Sequence, residues 1–360
     1  MKLTKKHLAL LLGGLTFGSI AHAQSSLTFY GSIDEGITYI SNEANKKNVQ
    51  TGVVAVPDKY GFKGSEDLGD GLKANFQLEN GYFSNTGAMA ISGDAFSRYA
   101  WVGLSSTTAG SLTAGRQWDL TNDVFTPNAN GAVQYNNYLY HPGNLDNSAV
   151  TDVNNSLKYT SPRFHGWFVQ GMYAFSDATN LQGRYFGATL RYVSGPLSFG
   201  AVYSNTNNKT YALNSTLGYT SFLGQNLAGG ATFRASNTAI FGVGSTYQIT
   251  PKWSVHALAN DVRIETPAAV GTVYNAELGV DYLMTPDNSI SLGGFHAGVD
   301  GRQYTSIGLA ELYHLSVRTM IYAETTTQIT SHGTGAVMPS LVTSSNSRQT
   351  AIRVGLQHYF

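Results

Sequence analysis

The sequence predicts an all-β chain closed into a transmembrane, antiparallel, up-and-down β-barrel, and three observations predict it. First, apolar residues alternate. Leu72, Ala74, Phe76 and Leu78 interleave with Lys73, Asn75, Gln77 and Glu79; Tyr274, Ala276, Leu278, Val280 and Tyr282 interleave with Asn275, Glu277, Gly279 and Asp281. Period two places each set on its own face of a strand. Second, the segments are long: a soluble sandwich strand averages about 5–6 residues, whereas a tilted bilayer crossing takes about 9–11. Third, Tyr159, Tyr192, Tyr219, Tyr247, Tyr282 and Tyr313 each stand just before a short Ser-, Thr-, Gly- or Pro-containing turn. A phenol is apolar along its body and polar at its tip, so such a row belongs at a membrane–water boundary.

Composition agrees. Among 360 residues there are 40 Gly, no Cys and only 12% charged residues, about half the usual charge. The lack of Cys excludes a disulfide framework, a zinc–cysteine site and a cysteine nucleophile. No apolar run is long enough for a spanning helix. At the N-terminus, Lys2, Lys5 and Lys6 precede an apolar stretch from Leu8 to Ile20, and Ala21-His22-Ala23 offers a small-x-small cleavage site. Residues 1–23 therefore read as a secretory signal peptide and 24–360 as one barrel domain. With those three lysines removed the formal charge is −3, which leaves no global basic footprint for nucleic acid.

The turns count the strands. The six tyrosine turns join Gly69-Asp70-Gly71 and Thr108-Ala109-Gly110 to make eight on one side. With both termini on that side, eight turns imply 18 strands. The opposite connections are longer and polar, near 41–56, 85–95, 118–155, 176–184, 205–209, 264–272 and 328–347, with shorter ones near 236 and 300. Barrels of 16–18 strands enclose an aqueous lumen.

Several segments resemble the trimeric general porins of Gram-negative bacteria, of neisserial and burkholderial type. Ser26–Asp34 is similar to that family's first strand and Lys59–Lys73 to its second hairpin, the most specific match. Arg98–Leu104, Leu112–Gln117, Asn155–Pro162, Tyr313–Thr319 and Val354–Phe360 follow in order. The resemblance implies an outer-membrane homotrimer embedded among lipids and lipopolysaccharide, inserted by the barrel-assembly machinery. It also implies passive diffusion of small hydrophilic solutes and inorganic ions through a water-filled channel. No cofactor or metal is implied. The family usually has 16 strands, so the turn count narrowly favours a larger barrel than the resemblance does: either a hairpin near 285–303 is extra or one tyrosine match is false. Lys59 stands where the family often has Arg, which keeps the charge but loses the planar fork.

The chemistry points to a charged constriction. From Trp118 to Leu157 there is no Lys or Arg, and Asp119, Asp123, Asp146 and Asp152 are present. A connection of that length is functional or disordered; the resemblance implies that it is the third loop, folded into the lumen. Arg116 and Lys158 bracket it, and Lys59 and Arg98 lie in matching wall segments. If Tyr99 and Trp101 face lipid, Arg98 turns inward; Leu157 and Tyr159 turn Lys158 inward, and Leu190 and Tyr192 turn Arg191 inward. A midplane cation facing lipid costs about 2–4 kcal/mol, so inward cations are required by the membrane alone. The functional expectation is narrower: a basic wall of Lys59, Arg98, Arg116 and Lys158 faces an acidic loop across a gap, with a mild anion preference. By the same parity Glu311 falls on the lipid face with Ile307, Leu309 and Tyr313, as a subunit contact, a bulge or a headgroup-level residue.

Phe360 ends the chain and, with Arg353, Gly355 and His358, matches the spacing of an outer-membrane assembly signal. No H-E-x-x-H, paired-carboxylate or G-x-S-x-G arrangement points to a hydrolase. The alternative to general diffusion is a substrate-specific channel. Inward aromatics are few by parity (Tyr30 and Phe168), which argues against a sugar slide. An adhesive barrel would need longer loops and a plug.

Overall fold

The computed structural model describes residues 25–52, 57–176, 183–331 and 333–360; the expected signal peptide lies outside them. Sixteen strands form the wall. The first eight are β1 (Ser26–Glu43), β2 (Lys59–Gly69), β3 (Leu72–Gly81), β4 (Tyr99–Ser106), β5 (Gly110–Trp118), β6 (Asp152–Thr160), β7 (Trp167–Ala174) and β8 (Tyr185–Ser194). The rest are β9 (Leu197–Asn207), β10 (Asn237–Thr250), β11 (Trp253–Glu265), β12 (Val270–Thr285), β13 (Asn288–Val299), β14 (Arg302–Ser316), β15 (Thr319–Thr330) and β16 (Arg348–Tyr359). Each pairs antiparallel with the next, and β16 returns to β1 from Ser32↔Tyr359 to Ile40↔Ala351. Closure matters because lipid offers no hydrogen-bond partners, so an open edge would leave a row of backbone groups unsatisfied. A short extra strand, Lys46–Gln50, folds back on the upper half of β1.

Sixteen strands, not eighteen, correct the turn count. The Tyr219 match is the false one. Its ring is buried with Phe222 and Phe233 inside a long connection between β9 and β10 that carries the helix Leu213–Leu217, a short hairpin (Ser221–Phe222 with Gln225–Asn226) and a two-residue ladder between Thr210–Tyr211 and Phe233–Arg234. The loops expected near 205–209 and 236 are the two ends of this one connection. Physically, Tyr219-Thr-Ser-Phe222 does lead into a tight turn, at Leu223–Gly224, but it sits in a self-packed loop rather than at the bilayer boundary. The hairpin near 285–303 is an ordinary part of the wall.

Parity holds along most strands. On β12 exposed Tyr274 and Leu278 alternate with buried Asn275 and Glu277. Near the short turns Trp167 lies 4.8 Å from Tyr192 and Trp253 lies 4.4 Å from Tyr282, a girdle at one interface. Parity fails on β4. Val102 and Leu104 are 61% and 51% exposed, so they face lipid, while Tyr99 stacks inward on Trp118 at 4.9 Å and Trp101 pairs with the inward Gln77. Both faces of this strand are apolar, so hydropathy alone cannot orient it. Glu311 does point outward, and continuous pairing on both sides of it removes the bulge from its three explanations.

The apolar core sits inside the barrel. Leu120, Phe125 and Leu145 of the β5–β6 connection pack against Leu258, Val262, Phe295 and Tyr304 of the inner wall. Outside, large apolar residues such as Leu278 and Ile307 are left exposed, as a lipid-facing surface requires.

Candidate functional site

The β5–β6 connection, residues 119–151, lies within the barrel. It begins with α1 (Leu120–Phe125), whose N-terminus is capped by Asp119: the carboxylate accepts from Thr121 N at 2.9 Å. The same carboxylate accepts from Tyr185 Oη at 2.9 Å and Asn147 Nδ2 at 2.8 Å. From there the loop runs along the inner faces of successive strands. Val124 rests on Gly200 of β9, Phe125 on Gly242 of β10, Asn130 on Gly293 of β13 and Leu139 on Gly308 of β14. A Cβ at Gly242 would overlap the Phe125 ring, so the wall is glycine where the loop must approach. At the far end Tyr138 Oη lies 2.9 Å from Thr38 Oγ1, beside an internal cluster in which Arg353 donates to Asp34 at 2.9 Å and to Tyr322 at 2.8 Å.

A buried ion cluster fastens the middle of the loop. His141 Nδ1 is 2.6 Å from Asp146 Oδ2, and Nε2 is 3.0 Å from Glu277 Oε1 on β12. Asn260 and Ser148 donate to Asp146 at 2.6 and 3.0 Å, and Asn130 N donates to Glu277 at 2.8 Å. Burial alone would lower the His141 value, but the two carboxylates outweigh it and push the imidazolium up to about 10. Burial likewise opposes the Asp146 carboxylate, and His141 with the Asn260 and Ser148 donors holds it below the usual range. His141 and Glu277 were missed in the sequence. A histidine in a loop without cations is a signal only once its wall partners are known.

The predicted site residues fall into two groups. Lys59, Arg98, Arg116, Lys158, Asp123 and Asp152 come together on the side of the lumen formed by β2–β8. Arg98 Nε donates to Glu79 at 2.6 Å and its guanidinium lies 5.3 Å from the Trp118 ring. Arg98 reaches the lumen although Tyr99 also faces inward, because it precedes β4 and folds back onto β3. Arg116 donates to Asp152 at 3.1 Å, to the Ser97 carbonyl at 2.8 Å and to Asn154. Lys158 pairs with Asp123, which also accepts from Gln170 at 3.0 Å. Lys59 is half-buried and makes no hydrogen bond or ion pair among the described residues. Asp119 and Asp146 belong to the second group: both are buried, one as a helix cap and one in the His141 cluster, and neither presents its carboxylate to the lumen. Asp152 lies on β6, not in the loop.

The expectation of opposed charges standing apart is thus corrected. The facing pairs are in contact, because loop and wall are packed closely enough for Asp123 to reach Lys158. Solvent still reaches them: the Lys158 and Asp123 side chains are 15% and 21% exposed. Glu79 was not singled out in the sequence, although its parity on β3 beside Gln77 is inward.

A sixteen-stranded barrel with a charged, water-accessible lumen narrowed by its own third loop defines the class of channel-forming outer-membrane β-barrels. The chain belongs to the Gram-negative porin family, whose sequence profile matches residues 8–333, and family membership places it in the outer membrane. It is 33% identical over 239 residues to an outer-membrane porin protein of Bordetella pertussis, covering 58% of this chain and 60% of that one. It is 32% identical over 202 residues to outer membrane porin protein 32 of Delftia acidovorans, covering 52% and 56%. These matches span a little over half the length of the curated relatives. An anion-selective porin from Comamonas acidovorans superposes with a TM-score of 0.77 at 22% identity, over 94% of this chain and 100% of that one, which shows a shared fold.

Proposed function

We propose that the protein is a general diffusion porin, a homotrimer whose barrels pass small hydrophilic solutes and ions with a mild preference for anions. The observation that carries this reading is the course of residues 119–151: the loop's apolar side chains line β9–β14 from inside, while Asp123 reaches across to Lys158 of the β2–β8 side, where that pair stays partly exposed to water. The carboxylates on that side are engaged by Arg98, Arg116 and Lys158, while Lys59 is unpaired among the described residues, so the local field leans positive. Two charges about 10 Å apart at an effective dielectric of 20 interact by roughly 1.7 kcal/mol, enough to bias a passing ion without trapping it. The similarity in fold to an anion-selective porin agrees with that sign. A substrate-specific channel would need a row of inward aromatics for a sugar. Of the inward rings on the cation side, Tyr30 bonds Glu79 and Gln77 and Phe168 carries two guanidiniums, while Tyr99 stacks on Trp118, so they form no continuous row.

Liposome swelling with sugars of graded size tests the reading. Rates that fall smoothly with solute size are expected. Saturation with one solute class would replace general diffusion with a specific channel, and no uptake would end the channel reading.

A further inference from the structure

The basic wall continues toward the short-turn end of the lumen, past the residues that face the loop. Phe168 on β7 and Arg191 on β8 are cross-strand partners, one inward rung below the pair Gln170 and Thr189, of which Gln170 donates to Asp123. The Arg191 guanidinium lies 5.2 Å from the Phe168 ring centroid. That of Arg163, reaching in from the β6–β7 turn, lies 4.9 Å from the same centroid. The two guanidiniums are therefore within about 10 Å of each other. Neither donates to an acceptor or forms an ion pair among the described residues. Asp123, the loop carboxylate on the rung above, is already taken by Lys158 and Gln170.

Two like charges gathered on one ring are mutually repulsive, and a stacked guanidinium keeps its N–H edge free for a planar, bidentate acceptor. Arg163 is exposed and Arg191 half-buried, so both edges are open to lumen water. We propose that Arg163 and Arg191, held on the Phe168 ring, form an oxyanion-binding station at the periplasmic mouth, taking the carboxylate or phosphate group of a small anionic solute leaving the constriction. The proposal rests on the channel reading above and deepens it by naming a solute class. It also gives Phe168 a role: the buried aromatic is the platform that fixes the spacing of the two cations.

The test uses the full barrel in planar bilayers, with chloride conductance recorded while inorganic phosphate or acetate is added to one side at a time. Phosphate or acetate added from the periplasmic side should lower chloride conductance along a saturating curve, and the stronger of the two identifies the preferred group. In Arg163→Gln/Arg191→Gln the half-saturating concentration should rise at least tenfold, while conductance in KCl alone stays within about twofold. Phe168→Leu, which keeps both cations and loosens their spacing, should give an intermediate shift. If wild-type channels conduct but neither anion has a saturable effect, or if the double variant responds like wild type, the station is overturned and the channel reading stands. A wild-type barrel that conducts no ions overturns the channel reading itself.

Discussion

Lys59 and Lys158 are both inward cations of the β2–β8 wall, yet their surroundings differ. Lys158 is neutralised by Asp123, so Lys158→Gln leaves that carboxylate uncompensated, whereas Lys59→Gln removes a cation with no ion-pair partner among the described residues; each substitution lowers the local charge by one. Replacing both should move the reversal potential in a KCl gradient toward cation selectivity, each substitution contributing a step in the same direction. A shift toward anions would remove both residues from the selectivity determinant. Salt screens charges beyond about 8–10 Å, so the effect should shrink as KCl is raised. His141 is the other residue whose chemistry can be read at the bench. Its folded value of about 10 lies above the unfolded value, so its contribution is complete below about pH 6.5 and is lost as pH rises through about 10. Asp146 is held low, so its contribution is complete above about pH 4 and fades only as pH falls through its lowered value. The loop should therefore be quietest from about pH 5 to 6.5 and loosen progressively as pH rises, with subconductance flicker fully developed by about pH 10. Removing one partner of a buried pair costs about 3–5 kcal/mol, so His141→Gln should flicker at neutral pH. Steady current in that variant would show that the cluster does not hold the loop.

At the scale of elements, the third loop is held by shape as much as by charge. Its side chains seat in glycine positions on β9, β10, β13 and β14, and its first helix is capped by Asp119. Deleting residues 128–145 would remove Asn130, Tyr138 and His141 together and leave Glu277 and the Arg353 cluster facing water. Single-channel conductance should rise severalfold in correctly folded barrels, and the size limit in swelling assays should rise with it. Unchanged conductance would mean that another element sets the narrowest point. The β9–β10 connection is the natural rival. Its Leu217 packs on Gly143 of the third loop, its Lys209 donates to Asn147, and Arg302 reaches 3.2 Å to the Leu217 carbonyl while stacking on Tyr219 at 3.8 Å. The two loops are one packed unit at the mouth.

The whole molecule depends on closing β16 onto β1. Phe360 N donates to the Gly31 carbonyl at 3.1 Å, its own carbonyl accepts from Gly31 N at 3.1 Å, and its ring lies 5.6 Å from Phe29. Gly31 has no side chain because the Phe360 ring occupies that space. We expect Phe360 to act as the assembly signal as well as the final clasp. Deleting it should leave synthesis and secretion intact and lower the amount of heat-modifiable barrel in the outer membrane. Wild-type assembly kinetics in the deletion would place the signal elsewhere. An aromatic end at the interface also resists vertical slip of the strand.

The fold class was legible in the residues because a bilayer imposes the simplest code a chain can carry: period two, a fixed crossing length and aromatic rims. That code failed where it had no contrast. On β4 both faces are apolar, so Tyr99 and Trp101 could be oriented only by what they touch. The Tyr219 turn has the residues of a girdle turn, and only its burial against Phe222 and Phe233 shows that it belongs to a loop. The charged wall was legible for a similar reason, since lipid forces every midplane cation inward whatever its use. The acidic partners were not, because a carboxylate in a loop is indifferent to parity. Asp123 meets Lys158, Asp119 caps a helix and Asp146 binds His141, and the choice among these depends on contacts between residues 28 to 114 positions apart, from Asp119–Asn147 to Asp146–Asn260. Local pattern and solvent are enough to specify a membrane barrel whose wall cations turn inward. The sixteen-strand count, the path of the third loop and the carboxylates left in reach of a solute follow instead from packing across the lumen, which no local pattern encodes.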